Sequence, residues 1–126
     1  MTANPQSLWF TQMIEYEVPA IRQQALADAL VLRAEQIATR CEGLLGVSVQ
    51  ASEDGSRVLQ YLQWQSRQQW AAAAACFADE PFFELLQRHQ ARGVNFTAYQ
   101  ALRSLVRGAD GGLHCQVGEV QAYHGA

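Results

Sequence analysis

The sequence predicts an α+β protein in which one antiparallel sheet carries helices on one of its faces. Three observations lead there. Residues 8–18 and 94–106 alternate apolar and polar side chains with the two-residue period of a strand. Residues 20–42 repeat apolar side chains at spacings of three and four, the period of a helix. Residues 44–70, LLGVSVQASEDGSRVLQYLQWQSRQQW, read as strand, Asp-Gly turn, strand and capped helix in succession. Helices between some strands and a hairpin between others favour an antiparallel sheet covered on one side.

In the first strand Leu8, Phe10, Ile14, Tyr16 and Val18 share one face, and Trp9, Thr11, Met13, Glu15 and Glu17 the other. Pro19 breaks the strand and opens a helix, because its missing N–H would lack a partner in a first turn anyway. That helix buries a stripe of Leu26, Leu30, Ala34, Ile37 and Cys41, and Gly43 is read as its C-terminal cap. The second strand, about 44–52, sets Leu45, Val47, Val49 and Ala51 against Gly46, Ser48 and Gln50. Asp54-Gly55 suits a tight turn, since Gly accepts a positive φ. A third strand follows at about 57–65.

Ser66 with Gln69 three residues on forms a capping box for the next helix, which holds five consecutive alanines, Ala71–Ala75. Asp79-Glu80-Pro81 breaks it. A further helix with Phe82, Phe83, Leu85, Leu86 and His89 on one side is expected to end at Gly93. Residues 94–106 are read as one fourth strand, and 113–123 as a fifth strand or an arm.

At 126 residues the chain is read as one domain, long enough to bury about two-thirds of its unfolded surface. No run of about 18 uncharged apolar residues suggests a membrane span. MTANPQSLWF lacks the basic region and apolar core of a signal peptide, so a cytoplasmic protein is expected. The net charge of −3 and the absence of a basic stripe argue against nucleic acid. All nine cationic residues are arginine, so Schiff-base lysine chemistry is excluded. Cys41, Cys76 and Cys115 are widely spaced and form no metal-ligand pattern, so reduced thiols, no metal and no cofactor are expected. No dinucleotide, phosphate-loop or hydrolase motif occurs.

Both faces of the predicted sheet are apolar. With Phe10 and Ile14 toward the helices, the other face carries Trp9, Met13, Leu59, Tyr61, Tyr99 and Leu105. An apolar face of that size calls for a partner, and a two-fold homodimer through it is expected.

The hairpin ending in Tyr61-x-x-Trp64, followed by Gln65-Ser66 and Trp70, resembles the antibiotic biosynthesis monooxygenase family. The split helix at Asp79-Glu80-Pro81 and the strand starting near Asn95-Phe96 are similar too. The resemblance covers about 8–107 and leaves 108–126 as a C-terminal strand or arm. It implies a ferredoxin-like βαββαβ fold that dimerises into an α/β barrel. It also implies a cofactor-independent monooxygenase that oxidises an anthrone-like or phenol-like aromatic with dioxygen. Anthrone-oxidising members carry Asn four residues before the strand tryptophan, where this chain has Gln60, and a tyrosine where it has Trp70. The haem-degrading branch needs a histidine about ten residues after the tryptophan, whereas 72–75 are all alanine here.

Gln60 and Trp64 are therefore the candidate catalytic pair, four apart in a strand and so on one face. Trp70, Phe77, Phe82, Phe83, Leu86 and His89 are the candidate walls for a flat aromatic ligand. Each has a plainer reading: Trp64 and the phenylalanines as core, His89 as a surface residue. The alternative function is a non-catalytic ligand-binding or regulatory dimer of the same fold.

Overall fold

The computed structural model describes residues 9–76 and 82–118. The strands are β1 (Phe10–Glu17), β2 (Leu44–Ala51), β3 (Arg57–Trp64), β4 (Arg92–Gln100), β5 (Arg103–Arg107) and β6 (Leu113–Gly118). The helices are α1 (Gln23–Arg40), α2 (Arg67–Cys76) and α3 (Phe82–Arg88), with a 3-10 turn at Ala20–Arg22 leading into α1. Four strands form one antiparallel sheet in the order β2-β3-β1-β4, the ferredoxin-like arrangement.

Alternation assigns the faces as expected. Phe10, Ile14 and Tyr16 of β1 and Val58, Gln60, Leu62 and Trp64 of β3 are buried beneath the helices. Leu26, Leu30, Ala34 and Ile37 of α1 pack into the same core, joined by Ala73 of α2 and Leu86 of α3. Each large apolar side chain buried this way contributes about 1.5–3 kcal/mol. The opposite face carries Met13 across from Tyr61 and Thr97, and Thr11 across from Gln63 and Tyr99. At one end of this face Arg57 meets Glu15 at 3.0 Å and Arg92 meets Glu17 at 2.7 Å.

Several local expectations are corrected. Residues 94–106 are not one strand: β4 ends at Gln100, and β5 pairs with β6 in a separate two-stranded ribbon. Leu105 therefore leaves the open sheet face. β4 can be followed as far as Ala101, whose N–H donates to the Trp9 carbonyl, and past it the chain enters β5, which pairs with β6 instead.

A register shift between Leu44 and Gly46 re-aims the start of β2, so Leu44 packs against the core while Leu45 is exposed. The hairpin loop is wider than a two-residue turn, spanning 52–56. Gly55 takes φ 83°, and Asp54 Oδ1 accepts from Ser56 N, Ser56 Oγ and Ser52 Oγ. These three bonds pull the Asp54 carboxyl down to a pKa of about 2.

Neither predicted glycine caps a helix in the left-handed conformation. Gly43 is buried, and a Cβ there would lie 2.6 Å from Gln69 Cβ, so its role is to let α2 approach β2 closely. Gln90, at φ 56°, turns the chain after α3. Its N–H reaches the Gln87 carbonyl and Ala91 N–H the Leu86 carbonyl, a Schellman pair. Gly93 lies inside β4.

Candidate functional site

A cavity of about 220 Å³ lies between the helix-covered sheet face and the three helices. Gln12 and Ile14 of β1, Gln60, Leu62 and Trp64 of β3, and Phe96 of β4 form its floor. Arg33 and Ile37 of α1, Trp70, Ala73 and Ala74 of α2, and Phe82 of α3 form its walls. The volume is below the roughly 300–1,000 Å³ of drug-sized pockets.

Strand pleating puts Gln60 and Trp64 on one face, and both are only 3% exposed. Tyr16, on the adjacent strand and 0% exposed, donates its hydroxyl to Gln60 Oε1 at 3.0 Å. Burial pushes the Tyr16 phenol well above its ordinary range, against the opposing pull of the Arg33 charge, so it stays a neutral donor. With Oε1 engaged, the Gln60 NH₂ is the end left for the cavity; among the described residues it makes no other side-chain hydrogen bond. Trp64 Nε1 is a second buried donor, without an acceptor among the described residues.

The walls are held by aromatic contacts. The Arg33 guanidinium sits 4.4 Å from the Phe82 ring centroid, and Tyr16 meets the same ring edge-on at 6.3 Å. Trp70 leans on Phe10 with centroids 5.2 Å apart. Two local features set α2 at this distance. Ser66 Oγ caps the helix by accepting from Gln69 N at 3.1 Å, and Gly43 leaves room for Gln69.

Gln60, Trp64, Trp70 and Phe82 thus line one cavity. Three of the other wall candidates, Phe83, Leu86 and His89, do not. Phe83 is 80% exposed on the outer side of α3, because its neighbour Phe82 takes the inward position. Leu86 belongs to the core beneath α3, and His89 sits in the turn after it with Nδ1 buried; neither lines the cavity. Phe77 lies outside the described residues. Of the alanine run, Ala73 alone is buried, while Ala73 and Ala74 border the space.

Sequence reasoning missed Arg33, Tyr16, Gln12 and Phe96. Arg33 did leave a signal. It stands three residues after Leu30 and four before Ile37, on the apolar stripe rather than opposite it. Phe96 pairs across from Ile14 in β1 and is 62% exposed, yet it rims the cavity. Among the described residues no three of His, Cys, Asp and Glu come together to hold a metal ion. No helix of the described residues is long and apolar enough to cross a membrane.

The fold and cavity define a small ferredoxin-like α+β protein with an apolar site against its sheet. Residues 9–75 match the antibiotic biosynthesis monooxygenase family, and the chain belongs to that family. It is similar in structure to the ActVA-Orf6 monooxygenase of Streptomyces coelicolor, solved in complex with nanaomycin D. The TM-score is 0.64 and the identity 18%, over 83% of this chain and 96% of that one. SnoaB, a cofactor-independent oxygenase from Streptomyces nogalater, superposes with a TM-score of 0.60 at 12% identity, over 77% and 96% of the two chains. A dimeric ferredoxin-like protein from an uncultured marine organism gives a TM-score of 0.62 at 18% identity, over 77% and 98%. Comparison with curated protein sequences finds no match.

Proposed function

We propose that this protein is a cofactor-independent monooxygenase that oxidises a small anthrone-like or phenol-like aromatic with dioxygen. The observation that carries the reading is a largely apolar cavity lined by Gln60 and Trp64, with Gln60 Oε1 held by the Tyr16 hydroxyl and Trp64 Nε1 buried without an acceptor among the described residues. Kinship with the family and the likeness to two oxygenases support it. The ionised substrate would hand an electron to dioxygen, and recombination would place oxygen on the ring carbon. A methylene then becomes a carbonyl while the second oxygen atom leaves as water, so one dioxygen balances the four-electron oxidation. The protein contributes a shaped, water-poor space and hydrogen bonds to the oxyanion.

We also propose that the working form is a homodimer packed through the open sheet face, with Trp9, Met13, Leu59, Tyr61 and Tyr99 at its centre. Sedimentation should show a dimer at micromolar concentration, and a persistent monomer would overturn this part.

Oxygen uptake with a simple anthrone in chelator-treated buffer tests the chemistry. Trp64→Phe should lower uptake about tenfold or more with little change in melting temperature, because ring placement governs the reaction more than stability. One observation favours a second reading, a ligand-binding dimer without catalysis: among the described residues no Asp, Glu or His lines the cavity to act as a base. Saturable ligand binding with oxygen uptake no faster than in buffer would select it.

A further inference from the structure

Gln12 interrupts the inward face of β1. Its neighbours on that face, Phe10 and Ile14, are buried in the core, while Gln12 is half-buried and lines the cavity floor. A polar amide in such a place costs free energy unless a partner reaches it. Register fixes what lies around it. Gln12 stands opposite Leu62 of β3, so Gln60 and Trp64, two residues to either side of Leu62, are its diagonal neighbours. Sheet geometry sets such neighbours roughly 7–8 Å apart, within reach of long side chains. On the other side is Ala98 of β4, whose methyl does not crowd the amide.

The donors and acceptors of the floor are divided between the two strands. Among the described lining residues, the side-chain acceptors are the amide oxygens of Gln12 and Gln60; Arg33, Trp64 and Trp70 are donors only, and the rest are apolar. Gln60 Oε1 already accepts from the Tyr16 hydroxyl. Trp64 Nε1 is buried without an acceptor among the described residues. β3 therefore supplies donors, and β1, about 4.8 Å away across the ladder, supplies an acceptor in Gln12.

We infer that Gln12 determines specificity: the cavity selects flat aromatics carrying two oxygens on one edge, and Gln12 reads the second of them. The first oxygen accepts from Gln60 and Trp64. The second is an un-ionised hydroxyl that donates to the Gln12 amide oxygen. The inference rests on the proposal that the cavity takes an aromatic ligand, and it goes further by naming the second substituent and the residue that recognises it. A ligand whose hydroxyl is methylated leaves that amide oxygen without a donor and should bind more weakly.

The test uses two neutral ketones, 7-hydroxy-1-tetralone and 7-methoxy-1-tetralone. Both offer a carbonyl acceptor, and only the first offers a hydroxyl donor beside it. Binding to the full-length protein is measured by calorimetric titration at neutral pH. The hydroxy ketone should bind about fivefold more tightly than the methoxy ketone, the value of roughly one hydrogen bond. Gln12→Leu, which keeps a side chain of similar size, should reduce that preference to about twofold or less while the methoxy ketone still binds. Equal binding of the two ketones to the wild-type protein, or a preference unchanged in Gln12→Leu, would overturn the assignment of Gln12 and leave the aromatic-ligand proposal standing. Binding of neither ketone would overturn that proposal and this inference with it. Should Gln12→Leu not fold, Gln12→Glu decides: its carboxylate accepts more strongly, so the preference should rise, and one no higher than the wild type's refutes the assignment.

Discussion

Tyr16→Phe isolates the hydrogen bond that orients Gln60. The substitution removes one oxygen and leaves the ring, so the edge contact with Phe82 at 6.3 Å and the surrounding core are kept. What is lost is the 3.0 Å bond from the Tyr16 hydroxyl to Gln60 Oε1, between two side chains no more than 3% exposed. Leaving a buried acceptor without a donor costs about 1–3 kcal/mol. Partial rotation of the amide toward the cavity offsets some of this, so a net loss of about 1–2 kcal/mol is expected in urea unfolding.

The same bond holds the Gln60 NH₂ toward the ligand, which creates a second expectation. Once Tyr16 no longer occupies Oε1, the amide can present its oxygen to the cavity and repel an anionic hydroxyl. Affinity for the ionised form of 4-nitro-1-naphthol, an acidic two-ring phenol that serves as probe, should then fall about five- to tenfold, the value of roughly one hydrogen bond. Fluorescence titration and urea melts on the same samples read both effects. If Tyr16→Phe matches the wild type in stability and affinity, the orientation argument is refuted. A stability loss with unchanged affinity would confine the bond to the core and remove Gln60 from the site.

Gly43→Ala would bring a Cβ to 2.6 Å from Gln69 Cβ, and it should cost about 1–3 kcal/mol by urea unfolding as α2 is forced outward. Gln69→Gly should relieve part of that cost, whereas Gln69→Ala, which keeps the clashing carbon, should not. Gln90→Gly should raise stability by up to about 1 kcal/mol in the same assay, because φ 56° suits glycine better than a branched-off side chain. The Asp54 carboxyl is held below its ordinary value of 3.8, at about 2, so its contribution is complete above 3.8 and fades as pH falls toward 2. Asp54→Ala should melt below the wild type at neutral pH, and the two melting curves should converge as pH approaches 2.

Much of this molecule is legible locally. The two-residue period in β1 and β3 and the three-and-four spacing in α1 identify which residues face inward, because each depends on backbone geometry within one element. Gln60 and Trp64 could be paired on one face for that reason alone. The break after Gln100 could not be read, since alternation runs on unbroken through 94–106, and the pairing of 103–107 with β6 rather than β1 is a long-range choice. The bulge at Leu44–Gly46 has the same character: it is set by register against β3. Nor does local pattern distinguish Phe82 from Phe83, as adjacent helical residues differ by the direction of the core, which only packing supplies.

The sequence by itself determined the order of elements from β1 to α2, the inward faces of β1, β3 and α1 and the resemblance to a family, all properties of short-range periodicity and motif. The tertiary structure alone decided the site's electrostatics. Tyr16 and Gln60 are 44 residues apart and meet because β1 pairs with β3, and Arg33 reaches the same space because α1 lies across those two strands. A charge on a helix has no visible partner until the sheet beneath it is assembled, since Coulomb and hydrogen-bond energies depend on distances that chain spacing does not contain.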